Sequence, residues 1–201
     1  MLSAARKAEP PAAARAEAAT AEAASIAEAA LIEGLRRGDQ AAAREFYDRY
    51  AGRLHRFIFH ALPADLRADA EDLLQETFMA LAEALPYFRG ECSLSTFACA
   101  IARRKVAGFV RTSSRRTRLA PDQALVSEPS AGEADGPSDA GAASAALDAL
   151  SGEHREVLLL KYVEELSVAQ IAAILRLSEH AVESRLARAR RSLAKRLGVA
   201  K

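Results

Sequence analysis

From Leu31 onward, large apolar residues recur at three- and four-residue spacings, the period of a helix with one buried face. Phe46, Tyr50, Leu54, Phe57 and Ile58 form the first such stripe, with Asp39 placed to cap the helix and Pro63 to close it. A second helix is predicted from Asp69, with Leu73, Leu74, Phe78, Leu81 and Leu85 inward and Pro86 as its stop. After the loop of residues 86–91 a third helix begins near Ser95 and sets Phe97, Ile101, Val106 and Phe109 on or near one face. Three helices of this length can bury one small core.

Further along, the same period predicts helices over 153–163, 168–175 and 179–197. Ser167 followed by Gln170 fits a capping box, and Ser178 is placed to cap the last helix. The short turn Leu175-Arg176-Leu177 between them makes a helix-turn-helix. Arg176 holds the turn position often given to glycine, where a left-handed backbone would cost about 1 kcal/mol. In the last helix Val182, Leu186, Ala189, Leu193 and Leu197 form the packing stripe. The opposite face then carries His180, Glu183, Ser184, Ala187, Arg188 and Arg191: base-edge readers in the first turns and arginines for phosphates.

Composition extends this picture. Half of the first 30 residues are alanine, and nothing there is large and apolar enough for a core, so they read as a tail with helical tendency from about Ala12. Residues 121–144 hold three Pro, three Gly and four Ser among acids, a composition that cannot offset the entropy of ordering it. The fold class expected is all-α: an extension (1–30), a helical bundle (31–118), a flexible acidic linker (119–146) and a helix-turn-helix domain (147–201). Charges interrupt every hydrophobic stretch, which excludes a membrane-spanning helix, and the N-terminus lacks the apolar region of a secretory signal, so a cytoplasmic protein is expected. Cys92 and Cys99 match no zinc or redox spacing and are expected to be ordinary thiols, and no metal or cofactor is expected.

The net charge of +1 conceals segregation. Residues 65–91 carry seven acids against Arg67 and Arg89, whereas residues 101–118 carry seven bases and no acid. Residues 119–148 carry six acids and no base, and residues 178–201 carry seven bases against Glu179 and Glu183. Two basic blocks separated by an acidic tether point to two contacts with a polyanion. The four histidines are scattered, no serine or cysteine stands in a nucleophile motif and no glycine-rich phosphate loop occurs, so an enzyme is not expected.

Two sets of motifs then carry a family likeness. The stretches His154-Arg155-Glu156-Val157-Leu158-Leu159-Leu160-Lys161-Tyr162, Leu166-Ser167-Val168-Ala169-Gln170-Ile171-Ala172 and Val182-Glu183-Ser184-Arg185-Leu186-Ala187-Arg188-Ala189-Arg190 resemble region 4 of extracytoplasmic-function (ECF) sigma factors. Asp72-Leu73-Leu74-Gln75-Glu76-Thr77-Phe78, Phe88-Arg89-Gly90, Ser95-Thr96-Phe97 and Ile101-Ala102-Arg103 resemble region 2. The resemblance implies that Asp72, Gln75, Glu76, Met79 and Glu83 dock on the β′ clamp helices of core RNA polymerase, with region 4 near the β flap. It implies that Phe88, Arg89, Thr96, Arg103, Arg104, Lys105 and Arg111 hold the melted promoter strand. Ser178, His180, Glu183, Ser184, Arg185, Ala187, Arg188 and Arg191 would then contact duplex promoter DNA. With no sensing domain between Leu31 and Gly198, it also implies a separate anti-sigma factor. Arg104, Gly108 and Glu183 depart from the usual pattern, and an acid at 183 favours a cytosine amino group or removes a phosphate contact. A helix-turn-helix regulator that is not a polymerase subunit is the alternative, and core-polymerase binding separates the two.

Overall fold

The computed structural model describes residues 12–119 and 139–198, and its regular elements there are eight α-helices and two short 3-10 turns, with no strand. The flexibility expected of the linker at 120–138 lies outside the described residues. The chain divides into two compact units, residues 1–46 and 47–201.

In the first unit α1 (Ala12–Arg36) turns into α2 (Gln40–Ala61). Gly38 takes a positive φ of 72° at the turn, and Asp39 Oδ1 accepts from the Ala41 N–H at 2.9 Å, so Asp39 caps α2 as its side chain predicts. The two helices approach so closely that a Cβ on Gly34 would stand 2.7 Å from that of Ala42. Helix α1 runs without a break through residues 30 and 31, where the extension was expected to give way to the bundle.

The second unit begins within α2 and contains everything downstream. Tyr50, Leu54, Phe57 and Ile58 are buried, as their spacing predicts, and α2 stops at Ala61 ahead of Pro63. A 3-10 turn (Ala64–Asp69) leads into α3 (Ala70–Ala84). Asp69 stands at the N-cap position but its side chain makes no capping bond. The Ala70 N–H is bonded to the Arg67 carbonyl of the 3-10 turn. Helix α3 buries Leu73, Leu74, Thr77 and Leu81. Phe78, expected inside, is only half-buried and lies against Tyr47 at 4.9 Å between ring centroids. The inward place goes to Thr77, whose hydroxyl donates to the Leu73 carbonyl at 2.7 Å and so costs little to bury.

After a second 3-10 turn (Leu85–Tyr87), α4 (Leu94–Leu119) buries Leu94, Ala98, Cys99, Ile101, Ala102 and Val106. Its small residues allow close packing, and this moves Phe97 and Phe109 from the expected core stripe to half-buried flanks. Helix α5 (Asp139–Asp148) was not anticipated, because its residues were counted with the linker. Helices α6 (Gly152–Tyr162), α7 (Val168–Leu175) and α8 (Glu179–Arg196) fall within one residue of the expected limits. Val182, Leu186 and Ala189 are buried, but Leu193 is half-buried and Leu197, past the helix end, is 39% exposed.

The caps of the helix-turn-helix are the expected ones. Gln170 N–H donates to Ser167 Oγ at 3.2 Å and Ser167 N–H to Gln170 Oε1 at 2.8 Å, which closes the capping box. Ser178 Oγ accepts from the Ala181 N–H at 3.2 Å. Arg176 sits in the left-handed region at φ 55°, ψ 46°. The substitution Arg176→Gly should therefore raise unfolding stability by up to about 1 kcal/mol in urea titration, and a loss would show that the side chain has a compensating role.

Candidate nucleic-acid interface

Helix α3 separates two kinds of surface. With its apolar stripe turned inward, Asp72, Gln75, Glu76, Met79 and Glu83 are all exposed, and Met79 is 66% exposed. Their i, i+3, i+4, i+7 spacing makes one acidic strip with an apolar centre, the pattern of a surface that receives another helix. The strip is tied to the next element, since Lys105 Nζ on α4 donates to Glu76 Oε2 at 3.2 Å.

On α4, Arg104 and Arg111 are exposed cations. Arg103 is not free: its Nε donates to Glu156 Oε1 on α6 at 2.7 Å. In the preceding loop Arg89 is exposed, but two residues expected to touch a nucleic-acid strand are covered. Phe88 is buried against Phe97, with centroids 4.6 Å apart, because an aromatic ring gains more from that contact than from water. Thr96 is 3% exposed, and its hydroxyl lies 2.8 Å from that of Ser93. Both hydroxyls receive the Gln170 side-chain amide from α7, at 2.8 Å on Thr96 and 3.3 Å on Ser93.

On α8, His180, Glu183, Ala187, Arg188 and Arg191 are exposed, with Ser184 half-exposed among them and the N-cap Ser178 exposed at the helix start. Arg188 and Arg191 each turn Nε back on a carbonyl of their own helix, of Ser184 at 3.3 Å and Ala187 at 3.4 Å. Arg185, expected to contact DNA, is half-buried. Its side chain lies 3.2 Å from Glu153 on α6, so it ties α8 to α6.

The contacts between the α2–α4 part and the α5–α8 part of the second unit were missed by sequence reasoning. Arg67 bonds Asp148 and also donates to the Phe59 carbonyl at 3.2 Å. Arg155 reaches the carbonyl of Leu62 at 3.3 Å and that of Asp148 at 2.9 Å. Arg53 bonds the main-chain carbonyl of Glu164, with the Glu164 carboxylate 3.7 Å away. A cleft of about 300 Å³ lies beside this seam, lined by Phe57, Val106, Arg111, Arg155 and Glu156 among others. None of these pairings has a local sequence signal.

Burial shapes the ionisation here. Glu164 is pushed above the usual carboxyl range by desolvation, against which Arg53 and Arg56 act. Burial, followed by the charge of Glu164, pushes the Cys99 thiol well up, so Cys99 stays protonated and unreactive. Among the described residues no cluster of acids, histidines and cysteines is arranged to hold a metal, and no helix is long and apolar enough to cross a membrane.

A side-chain-capped turn followed by an arginine-bearing helix has the form of a helix-turn-helix, here preceded in the chain by an acidic and a cationic helix. Residues 46–116 match the family Sigma-70 region 2, and residues 141–193 match Sigma-70, region 4. The ECF RNA polymerase sigma factor SigC of Mycobacterium tuberculosis is 36% identical over 127 residues, covering 62% of this chain and 68% of that protein. BldN, an ECF RNA polymerase sigma factor of Streptomyces coelicolor, is 29% identical over 172 residues, covering 83% of this chain and 64% of its own length. The sigma factor RpoE of Bartonella quintana, solved with the anti-sigma factor NepR, superposes with a TM-score of 0.65 at 25% identity, over 79% of this chain and 98% of that one. The chain belongs to the ECF sigma factors of the sigma-70 family.

Because folding raises the Glu164 value, the folded state binds that proton more tightly than the unfolded state. The resulting stability is fully present below the unfolded carboxyl value and is lost as pH rises through the folded one. Relative to the parent, Glu164→Gln should thus gain stability as pH rises above the unfolded carboxyl value, and a flat difference in urea titrations would remove this account.

Proposed function

We propose that this chain is a sigma subunit that binds core RNA polymerase, opens a promoter with region 2, reads upstream duplex with region 4 and so directs transcription initiation. The observation that carries the reading is the order of three surfaces in one chain: the exposed acidic strip of α3, the cationic α4 and the capped helix-turn-helix ending in α8. It is supported by the matches to Sigma-70 regions 2 and 4 in the same order. Asp72, Gln75, Glu76, Met79 and Glu83 meet the β′ clamp helices, region 4 lies near the β flap, and Arg89, Arg103, Arg104, Lys105 and Arg111 track the melted strand. His180, Glu183, Ser184, Ala187, Arg188 and Arg191 face the duplex. Phe88 supports the strand-binding loop from within, and Arg185 supports the reading helix.

The protein acts in the cytoplasm as a binding factor and not as an enzyme, and it requires no cofactor. A separate anti-sigma factor holds it inactive, as a reading supported by the anti-sigma factor bound to the Bartonella RpoE.

Run-off transcription with core polymerase on the promoter of the chain's own gene tests the reading, and transcription that depends on the added chain is the expected result. Asp72→Ala combined with Glu76→Ala should weaken core binding about tenfold or more, equal to roughly 1.4 kcal/mol, with the helical circular dichroism kept. Unchanged co-purification with core would leave a helix-turn-helix regulator as the better account. Arg188→Ala should weaken duplex binding across sequences and lower the slope of log affinity against log salt by about 1.

A further inference from the structure

The cleft beside Arg155 and Glu156 combines apolar walls with an excess of positive charge. Phe57 of α2 and Val106 of α4, both buried, form its deep side, with Val110 half-buried and Ala107 exposed on the same helix as Val106. Three guanidiniums, of Arg103, Arg111 and Arg155, line the same space against one carboxylate, of Glu156. Arg103 is committed to Glu156, and Arg155 to the carbonyls of Leu62 and Asp148. Arg111 is exposed, and among the described residues nothing bonds its guanidinium. An uncommitted cation thus stands at the solvent side of an apolar recess. We propose that the cleft binds a small amphipathic anion, a monocarboxylate on a hydrocarbon chain of about eight carbons, with its head on Arg111 and its chain against Phe57, Val106 and Val110.

Size, charge and an unmet donor each bear on the choice of ligand. The cleft holds about 300 Å³, the lower end of the range for small-molecule sites. At roughly 30 Å³ for a water-sized group, that is room for about ten such groups, an eight-carbon chain with its carboxylate. One free guanidinium matches one negative charge, and its planar fork takes both oxygens of a carboxylate. Arg155 Nε is buried with no hydrogen-bond partner, and a buried donor left without an acceptor is costly. An anion in the cleft beside it offsets part of that cost through charge. The site does not depend on the sigma-factor reading. One consequence does: Arg111 is among the cations given to the melted strand, so the bound anion and the strand compete for it.

The test is isothermal titration of the full chain with sodium octanoate, beside acetate, which has the head alone, and octanol, which has the chain alone. Arg111→Ala removes the cation. Ala107→Phe fills the recess from an exposed position and keeps every charge, and circular dichroism checks that both variants stay helical. Arg116→Ala removes an exposed cation of the same helix that does not line the cleft. The site predicts saturable binding of one octanoate, with acetate and octanol each weaker by roughly tenfold or more. It predicts a loss of about tenfold or more in both Arg111→Ala and Ala107→Phe, and parent-like binding in Arg116→Ala. No saturable binding of octanoate to the parent overturns the proposal, as does binding that neither Arg111→Ala nor Ala107→Phe weakens. Binding of octanol as tight as that of octanoate overturns the role of Arg111. These titrations contain neither polymerase nor promoter, so their failure leaves the sigma reading standing, and failure of run-off transcription leaves the site standing.

Discussion

Four successive residues of α6, Val157, Leu158, Leu159 and Leu160, are all buried. At 100° per residue such a run sweeps most of the helix circumference, so the middle of α6 has no solvated face and must be covered on all sides. The domain it belongs to is too small to wrap a helix cheaply. Helices α7 and α8 supply one wall, with the Arg185–Glu153 pair binding α8 to the start of α6. On another side Arg155 and Glu156 face α2 and α4. The place of the reading helix, the cover over Thr96 and the restraint on Arg103 all follow from where α6 has to lie.

Locally determined features were legible in the sequence. The caps at Asp39, Ser167 and Ser178 and the limits of α6 to α8 depend on residues within four positions of one another, and the structure has them where side-chain chemistry puts them. The left-handed Arg176 was legible for the same reason. The acidic strip of α3 was legible because its stripe follows a single period. What escaped depends on partners far away in the chain. Phe78 exchanged places with Thr77 because a buried hydroxyl found a carbonyl one turn back. Phe88 and Phe97 found each other across a loop, and Arg185 found an acid on another helix. Helix α5 escaped because glycine and small residues at its start share the composition of the preceding stretch.

The cations of this molecule serve in two ways. Arg53, Arg67 and Arg155 face the seam and bond carbonyls or acids there. Guanidinium suits this work because its several donors in one plane can satisfy a main-chain carbonyl and a carboxylate together. Arg104, Arg111, Arg188 and Arg191 face outward. Arg103 and Lys105 stand between the classes, each on α4 and each paired with an acid from another helix, Glu156 and Glu76. Any strand or partner that draws on them meets a cation whose charge a carboxylate already offsets in part.

The capping box at Ser167 and Gln170 and the cap at Ser178 are built from uncharged groups bonded to backbone over three residues. Ionic strength has little hold on such bonds, whereas it acts directly on the pairs along the seam. The turn between α7 and α8 is therefore held by bonds that salt barely weakens, while the ion pairs along the seam, Arg67 with Asp148 and Arg103 with Glu156, weaken as salt rises.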